Sequence, residues 1–365
     1  MQRAFRTLTL FGAMVAGLSL SGSPVYAQGA TWPTLDPDWT APRTAWDTPD
    51  LHGIWSSKSR APMQRSDDNA DREFLTDEEV ADLDAASEAR ETNPVAQGRD
   101  VRGDSGTRAD VEGAYNNIFS TGIGVRYDKS HRTSRIIDPP NGKFPALTPE
   151  GDAQQATRAE SFAARAAARA AAQQTGGADV PYPVDSEDRY DHPEEVGSLE
   201  RCRGVSIPCI GGLCGISRLA QGPASVTIYY EQGHGGGAYR KIPLDERPHI
   251  PSHIRQWLGD SVGHWEGDTL VVDTTNFTNQ TSFQGSGENL HLIERFTRVA
   301  PDLLQYQITV EDTTVWTQPW TMELALEALD NTENLIFESA CHEGNYSLTA
   351  MLAGARIDEA SEGGK

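Results

Sequence analysis

Short runs of alternating apolar and polar residues fill the C-terminal half of this 365-residue chain. A period of two is typical of β-strands that bury one face. Turn residues between the runs, as at Gly267 and Pro301, are compatible with antiparallel hairpins. The pattern predicts strands at 226–230, 239–244, 269–273, 290–298, 304–310, 322–328 and 335–338.

No helix of useful length interrupts residues 269–339, so these strands form a meander. A long meander often closes into a barrel, because closure removes the unpaired edge strands. We therefore expect a mainly β fold, in which an antiparallel meander closes into a lipocalin-like barrel. A twisted sheet or a sandwich is the alternative.

The first half of the chain predicts two helices and one strand. Thr76 precedes a run of acidic residues and Thr148 precedes Pro149, which is typical of helix N-termini, so helices are expected at 76–89 and 148–174. Residues 134–138 resemble a strand that ends at Pro139. Residues 51–55 are a short apolar segment, and we interpret Trp55 as the anchor of an extended arm.

Residues 1–27 have the pattern of a secretory signal peptide. Arg3 and Arg6 precede an apolar stretch at 8–20, and small residues mark a cleavage site near Ala27. The sequence therefore predicts a periplasmic or secreted protein. After the signal peptide we expect an N-terminal arm at 28–110, a segment at 111–199 that packs on the barrel, the barrel domain at 200–357 and a disordered tail at 358–365. The 111–199 segment would contain a strand, an Ala-rich helix and an acidic linker.

The charge balance excludes several partners. There are 31 Lys and Arg against 53 Asp and Glu, a formal net charge of −22. Nucleic-acid affinity depends on Lys and Arg that neutralise phosphates, and an anionic membrane surface also attracts basic segments. No segment after the signal peptide approaches the roughly 18 apolar residues of a membrane span, so we expect no membrane insertion. The expected partner is a small molecule, and the sequence does not indicate an oligomeric state.

The four cysteines form an even set, and disulfides persist outside the cytoplasm. The favoured pairing joins Cys209 to Cys214 and Cys202 to Cys341. A metal site is the alternative, but Cys209 and Cys214 are a single pair and Cys341 stands alone, unlike the paired elements of zinc sites. We predict disulfides, with no metal and no cofactor.

Several sequence blocks resemble a known family. They are Arg255-Gln256-Trp257-Leu258-Gly259-Asp260-Ser261, Trp265-Glu266-Gly267-Asp268-Thr269-Leu270-Val271-Val272-Asp273-Thr274-Thr275-Asn276-Phe277 and Cys341-His342-Glu343-Gly344-Asn345-Tyr346. They are similar to the signature of a widespread, largely uncharacterised family of secreted bacterial proteins. The Cys209–Cys214 segment and the acidic linker depart from the usual pattern of that family. The resemblance implies secretion but no particular activity.

Histidines and acidic residues near the ends of the predicted strands are the candidates for chemistry. A neutral imidazole can act as an acid or a base near neutral pH, and a barrel mouth would gather such residues. The candidate catalytic residues are His249, Asp260, His291, Glu294 and His342. His291 and Glu294 lie on opposite faces of a regular strand, and Glu294 shares its face with apolar residues, so we expect it to be buried with Arg295 or Arg298 as its partner. A structural ion pair and loop histidines without chemistry are the alternatives.

Aromatic and polar residues of the same region suggest a small organic ligand, because ligand pockets are mostly apolar with a few placed polar groups. The candidates for substrate binding are Trp257, Asn276, Arg295, Trp320 and Tyr346. One hypothesis is a secreted lyase or hydrolase that cleaves a glycoside or an aromatic ether by acid–base chemistry. The other is a non-catalytic lipocalin-like protein that binds a small hydrophobic or aromatic ligand.

Overall fold

The structure is a computed structural model. It describes residues 32, 35–92, 126–174, 193, 201–202, 206–210, 215–231, 238–330, 332, 336, 341–343 and 345–362. Within these ranges it contains ten strands and three α-helices, with a short 3-10 helix at Asp67–Asn69. The strands are β1 (Gly53–Ser56), β2 (Ile136–Asp138), β3 (Ile216–Gln221), β4 (Ser225–Tyr230), β5 (Ala238–Pro243), β6 (Asp260–Glu266), β7 (Thr269–Thr275), β8 (His291–Ala300), β9 (Leu303–Glu311) and β10 (Trp320–Ala328).

Nine of the strands form one antiparallel, nearly closed sheet, in the order β5-β4-β3-β1-β10-β9-β8-β7-β6, and β2 adds to β10. The two end strands, β5 and β6, lie against each other. At this seam a Cβ atom on Gly263 would be 2.7 Å from Cγ2 of Ile242, so close approach of the strands requires glycine. The expected mainly β, lipocalin-like barrel is confirmed.

Alternate residues of each strand point into the barrel and form one continuous apolar core. On β10 the inward residues are Trp320, Met322, Leu324 and Leu326, all buried. Trp320 stacks on Phe283 with ring centroids 6.1 Å apart and meets Trp316 edge-on at 5.8 Å. These aromatic rings fill one end of the interior.

The outer face of β9 and β10 is covered by residues from the first part of the chain. The indole Nε1 of Trp32 donates to Oε1 of Glu323 at 2.6 Å, and Arg132 forms an ion pair with the same carboxylate. Oε2 of Glu323 accepts from Gln305 and Gln307, each at 2.8 Å. This buried carboxylate therefore has partners on both oxygens.

The predicted helices at 76–89 and 148–174 are confirmed as α1 (Asp77–Thr92) and α2 (Pro149–Gln174). Thr76 caps α1 reciprocally with Glu79, since each accepts a hydrogen bond from the other's backbone N–H, at 3.2 and 2.8 Å. Thr148 accepts from the backbone N–H of Gly151 at 3.0 Å and so caps α2. Both N-termini form where the sequence places a threonine before acidic residues.

Three strands and one helix were not predicted. β1 lies between β3 and β10, so the segment expected to be an arm contributes a strand to the barrel. Trp55, its expected anchor, is buried in the interior. The third helix, α3 (Ser347–Glu362), includes residues 358–362 of the expected disordered tail. None of the described helices is long and apolar enough to cross a membrane.

The predicted disulfide between Cys202 and Cys341 is confirmed. Cys209 is buried and disulfide-bonded, but Cys214, its predicted partner, lies outside the described residues. The signal peptide at 1–27, nearly all of the acidic linker and most of the predicted strand at 335–338 also lie outside them.

Candidate active site

Five side chains form an unbroken hydrogen-bonded row on the outer face of β6 to β9, at one end of these strands. We call it the acid–imidazole chain; in order, its members are Asp260, His249, Asp273, His291 and Glu311. Nδ1 of His249 is 2.9 Å from Oδ2 of Asp260, and its Nε2 is 2.9 Å from Oδ1 of Asp273. Nε2 of His291 is 3.0 Å from both oxygens of Asp273, and its Nδ1 is 2.9 Å from Oε2 of Glu311.

The sheet register positions the second half of the chain. His291 begins β8 and is paired directly with Glu311 at the end of β9. Asp273 on β7 is paired with Ile293, which shares the outer face with His291 two residues away. Cross-strand and diagonal neighbours on one face lie within contact distance, so these three side chains meet without a distortion of the strands.

His249 is held by the loop before β6. The Nδ2 group of Asn276 donates to the carbonyl oxygens of Ile250, Pro251 and Ile254 at 3.0 to 3.1 Å. Asn276 has a positive φ of 61°, a conformation that asparagine tolerates better than most residues. It therefore clamps the loop, and its amide N–H groups are already used.

Asp260 is the first residue of the acid–imidazole chain and is buried, at 5% exposure. Arg247 binds it through two nitrogens, at 2.6 and 3.0 Å, and the backbone N–H of Ile250 donates to it at 3.1 Å. Burial would raise the pKa of Asp260, but the hydrogen bonds from Arg247, His249 and Ile250 lower it overall. Asp260 therefore orients His249 as an ionised carboxylate.

Every ring nitrogen of the acid–imidazole chain faces a carboxylate oxygen. Four N···O contacts join the two rings to three carboxylates, and each contact needs one hydrogen. All four ring nitrogens are therefore engaged by carboxylate oxygens.

Asp273 contacts both histidines, and these contacts shift the pKa values of Asp273 and His291. Its hydrogen bond to His291 is the main reason that the pKa of His291 is raised above its ordinary value. Burial would raise the pKa of Asp273, but hydrogen bonds and charge from both histidines lower it overall. At neutral pH Asp273 is therefore ionised and His291 retains its proton more firmly than a free histidine.

These shifts give the stability of the protein a defined pH dependence. The raised pKa of His291 contributes stability that is full below about pH 6.5 and is lost as the pH rises through the folded-state value. The lowered pKa of Asp273 contributes stability that is full above about pH 3.9 and is lost as the pH falls. We expect the difference in unfolding free energy between wild type and His291→Gln to be largest between about pH 4 and 6.5 and to shrink on both sides.

Urea unfolding at a series of pH values measures this difference. His264→Gln is the matched control, because His264 is an exposed histidine on the same sheet whose contact is with Glu266, at 3.2 Å. A wild-type minus His291→Gln difference that grows above pH 7 would contradict the expectation.

The structure brings three of the five candidate catalytic residues together, namely His249, Asp260 and His291. It does not bring His342 to the acid–imidazole chain. The side chain of His342 is exposed, and within the described part of the protein it has no hydrogen bond to any of those five residues. Glu294 also lies elsewhere, because it points into the barrel. The predicted separation of His291 and Glu294 onto opposite faces is confirmed.

Glu294 is fully buried, as predicted, but its partner is Arg240 on β5 rather than Arg295 or Arg298. Nη1 of Arg240 is 2.9 Å from Oε1 of Glu294, and Nη2 contacts Oε2. Tyr306 donates to Oε1 at 2.5 Å. The pair is a satisfied structural network inside the barrel.

The candidate substrate-binding residues do not gather at one site. Trp320 is fully buried in the core, Tyr346 is 80% exposed, and Trp257 is half-buried. Arg295 forms an exposed ion pair with Glu266 at 2.8 Å. Asn276 clamps the His249 loop. The contacts of Asn276, Arg295 and Trp320 are therefore structural.

Sequence reasoning missed Asp273, Glu311 and Arg247. The signal for Asp273 was present in the strand pattern, since a carboxylate between Val272 and Thr274 on β7 must face outward like His291 on β8. Among the described residues, no group of three or more histidine, cysteine or acidic side chains is arranged to hold a metal ion. The ring nitrogens of the chain contact carboxylates directly.

No protein-family model and no curated protein matches this sequence. The family resemblance of its sequence blocks therefore remains a prediction.

Proposed function

We propose that the protein is an extracytoplasmic enzyme that cleaves a small ring-containing substrate, a glycoside or an aromatic ether, by hydrolase or lyase chemistry. The observation that carries the proposal is the convergence of two imidazoles on one carboxylate. His249 and His291 both direct Nε2 to Asp273, and each has a further carboxylate at Nδ1. Pairs of titratable groups with opposed pKa shifts are typical of catalytic sites.

The two histidines have different roles in this proposal. The raised pKa of His291 suits it to donate a proton to a leaving group. His249 has its Nδ1 fixed by the buried Asp260, and its Nε2 contacts Asp273; once Nε2 has passed its proton to that carboxylate, it can accept one from water or substrate. Asp273 lies between them and stabilises whichever ring is charged.

A location outside the cytoplasm is part of the proposal. It is supported by the signal-like sequence at 1–27 and by the disulfide between Cys202 and Cys341, since disulfides persist in oxidising compartments.

A lipocalin-like binding protein is the second candidate function. One observation favours it: the indole Nε1 atoms of Trp265 and Trp320 are buried in the barrel core without a described hydrogen-bond acceptor. A ligand with an acceptor group inside the barrel would satisfy them.

Turnover of a panel of aryl glycosides and aryl ethers separates the two candidates. We expect wild type to cleave at least one compound and the double variant His249→Ala/His291→Ala to cleave none. His342→Ala should keep its activity, because its exposed side chain has no contact with the acid–imidazole chain among the described residues. If wild type cleaves nothing, and a ligand binds wild type and the double variant equally well, the protein is a binder.

A further inference from the structure

A polar cleft lies at the same end of β8 and β9 as His291 and Glu311. Its volume is about 200 Å³. Three segments line it: the first turns of α2, the loop at 279–289 and the turn at 312–315. The volume is below the range of about 300 to 1,000 Å³ that is typical of drug-sized ligands, so the cleft suits one ring rather than two.

Asp312, which lines this cleft, has one carboxylate oxygen without a hydrogen-bond partner among the described residues. The residue is 5% exposed, and its Oδ1 accepts from the N–H and the hydroxyl of Thr314, at 3.0 and 2.5 Å. Its Oδ2 is buried and has no hydrogen-bond partner among the described residues. A buried carboxylate oxygen without a donor is costly and needs an explanation.

Two carboxylates buried in the sheet, Glu294 and Glu323, differ from Asp312. Both oxygens of Glu294 and both oxygens of Glu323 accept hydrogen bonds from protein groups. An unpartnered oxygen therefore distinguishes Asp312 from these two buried carboxylates. Asp312 lines the cleft, so a movement of its side chain would bring Oδ2 within reach of a donor from a small molecule.

The cleft adjoins the acid–imidazole chain. Asp312 follows Glu311 directly, and Asn289, which also lines the cleft, is two residues before His291. Two residues of extended chain span about 7 Å at most, so the backbone that lines the cleft continues directly into the strand that carries the proposed proton donor.

The lining determines the class of ligand. Its side chains are mostly hydroxyl, amide and carboxylate groups, and none of the described lining residues is aromatic. Glu150, Glu288 and Asp312 outnumber the one basic residue, Arg158. An anionic ligand is repelled by this balance, and an aryl ring finds no surface to stack on.

We propose that the cleft binds a neutral glycosyl ring, with one sugar hydroxyl donating to Oδ2 of Asp312. The inference rests on the proposed function and deepens it, since it selects glycosides over aromatic ethers. Several hydroxyl groups on one ring match several acceptors in the cleft, and Asp312 supplies the buried one.

Binding of neutral methyl glycosides, measured by calorimetry on the full chain, tests the proposal without turnover. Asp312→Asn keeps the Oδ1 acceptor for Thr314 and replaces Oδ2 with a donor. We expect this variant to weaken binding about 10-fold or more, because the amide group that replaces Oδ2 donates a hydrogen bond and cannot accept one from a sugar hydroxyl. Gln154→Trp, on the exposed surface of α2 that lines the cleft, should abolish binding by filling it.

Asp330→Asn is the matched control. Asp330 accepts from the N–H and hydroxyl of Thr332, at 2.8 and 2.5 Å, in the same Asp-x-Thr turn, but it is exposed and outside the cleft. It should bind methyl glycosides like wild type.

The outcomes distinguish this inference from the proposed function. Binding that depends on Asp312 without any turnover supports the cleft and contradicts the enzyme. If a glycoside is cleaved and its KM is unchanged in Asp312→Asn and Gln154→Trp, the proposal that the cleft binds the glycosyl ring is wrong, while the proposed enzymatic function stands. Turnover of aryl ethers alone, with no methyl glycoside bound by wild type, also overturns the proposal for the cleft.

Discussion

Glu294→Leu is expected to lower the free energy of unfolding by about 3 to 5 kcal/mol. Arg240 and Glu294 are 3% and 0% exposed, and they pair through two contacts in the barrel interior. Burial would lower the pKa of Arg240, but the charge of Glu294 raises it overall, so the guanidinium stays charged. The variant leaves this charge buried without a counter-charge. Urea unfolding followed by circular dichroism measures the loss.

Removal of the other partner of the pair, in Arg240→Met, is expected to lower the free energy of unfolding by less. A carboxylate without its partner can take up a proton, whereas a guanidinium cannot lose one. The deficit of Arg240→Met should therefore shrink as the pH falls, and the deficit of Glu294→Leu should not. The double variant Arg240→Met/Glu294→Leu should recover much of the loss, because apolar replacement of a whole buried pair is often neutral or stabilising.

Glu266→Gln is the control for this series. It removes an exposed ion pair with Arg295, at 2.8 Å, where the expected change is at most about 1 kcal/mol. If Glu294→Leu costs no more than Glu266→Gln, the interior pair is not desolvated.

The strands that the sequence predicted are those in which alternation is complete. On β8 and β9 every inward position from Leu292 to Phe296 and from Leu304 to Val310 is buried, and the predicted bounds are within two residues. β3 was not predicted from the sequence because its inward positions include the polar residues Ser217 and Gln221. Oε1 of Gln221 accepts from the N–H of Leu51 at 2.9 Å, so a polar residue is satisfied inside the barrel and hides the period.

The other two strands that were not predicted, β1 and β6, have local features that hide the pattern. β1 has only four residues, too few for a period of two to be recognised. β6 carries Gly263 at an inward position, where the seam to β5 leaves no room for a side chain. Because the barrel closes here, β6 has a glycine where an inward hydrophobic residue would have revealed the period of two.

Partners across the sheet are harder to predict than faces. Strand parity correctly separated His291 from Glu294, but it gave no information on Arg240, which is 54 positions away on β5. The sequence neighbours were poor candidates for physical reasons. Arg295 points to the opposite face, and Arg298 is four residues along the strand, about 13 Å away.

The same limit applies to Asp273. Its outward direction follows from the pattern of β7, whereas its contacts with His249 and His291 depend on the β7–β8 register and on the loop that Asn276 clamps. A strand pattern contains neither of these.

His249→Ala and His291→Ala are each expected to lower kcat by about 10²- to 10⁴-fold on the substrate that the panel identifies. Each variant removes one partner of a proton-transfer pair and leaves the other. The two single losses should not add up in the double variant, because an acid and a base that act in one step fail together. Steady-state kinetics at constant pH measure the three variants.

Asp273→Asn tests the electrostatic role of the shared carboxylate. Asp273 raises the pKa of His291, so its replacement lowers that pKa, and His291 then loses its proton at a lower pH. If His291 is the general acid, the alkaline limb of the pH–rate profile should move to lower pH in Asp273→Asn. A purely structural role for Asp273 would lower the rate without moving the limb.

His264→Ala is the control histidine for these kinetics. It lies on β6 in the same sheet and also contacts a carboxylate, Glu266, at 3.2 Å, but it is not part of the acid–imidazole chain. It should retain wild-type kcat and an unchanged pH profile. Wild-type rates in His249→Ala and His291→Ala would show that the chain only stabilises the end of the sheet. An equal loss in His264→Ala would mean that the rates report on folding rather than on proton transfer.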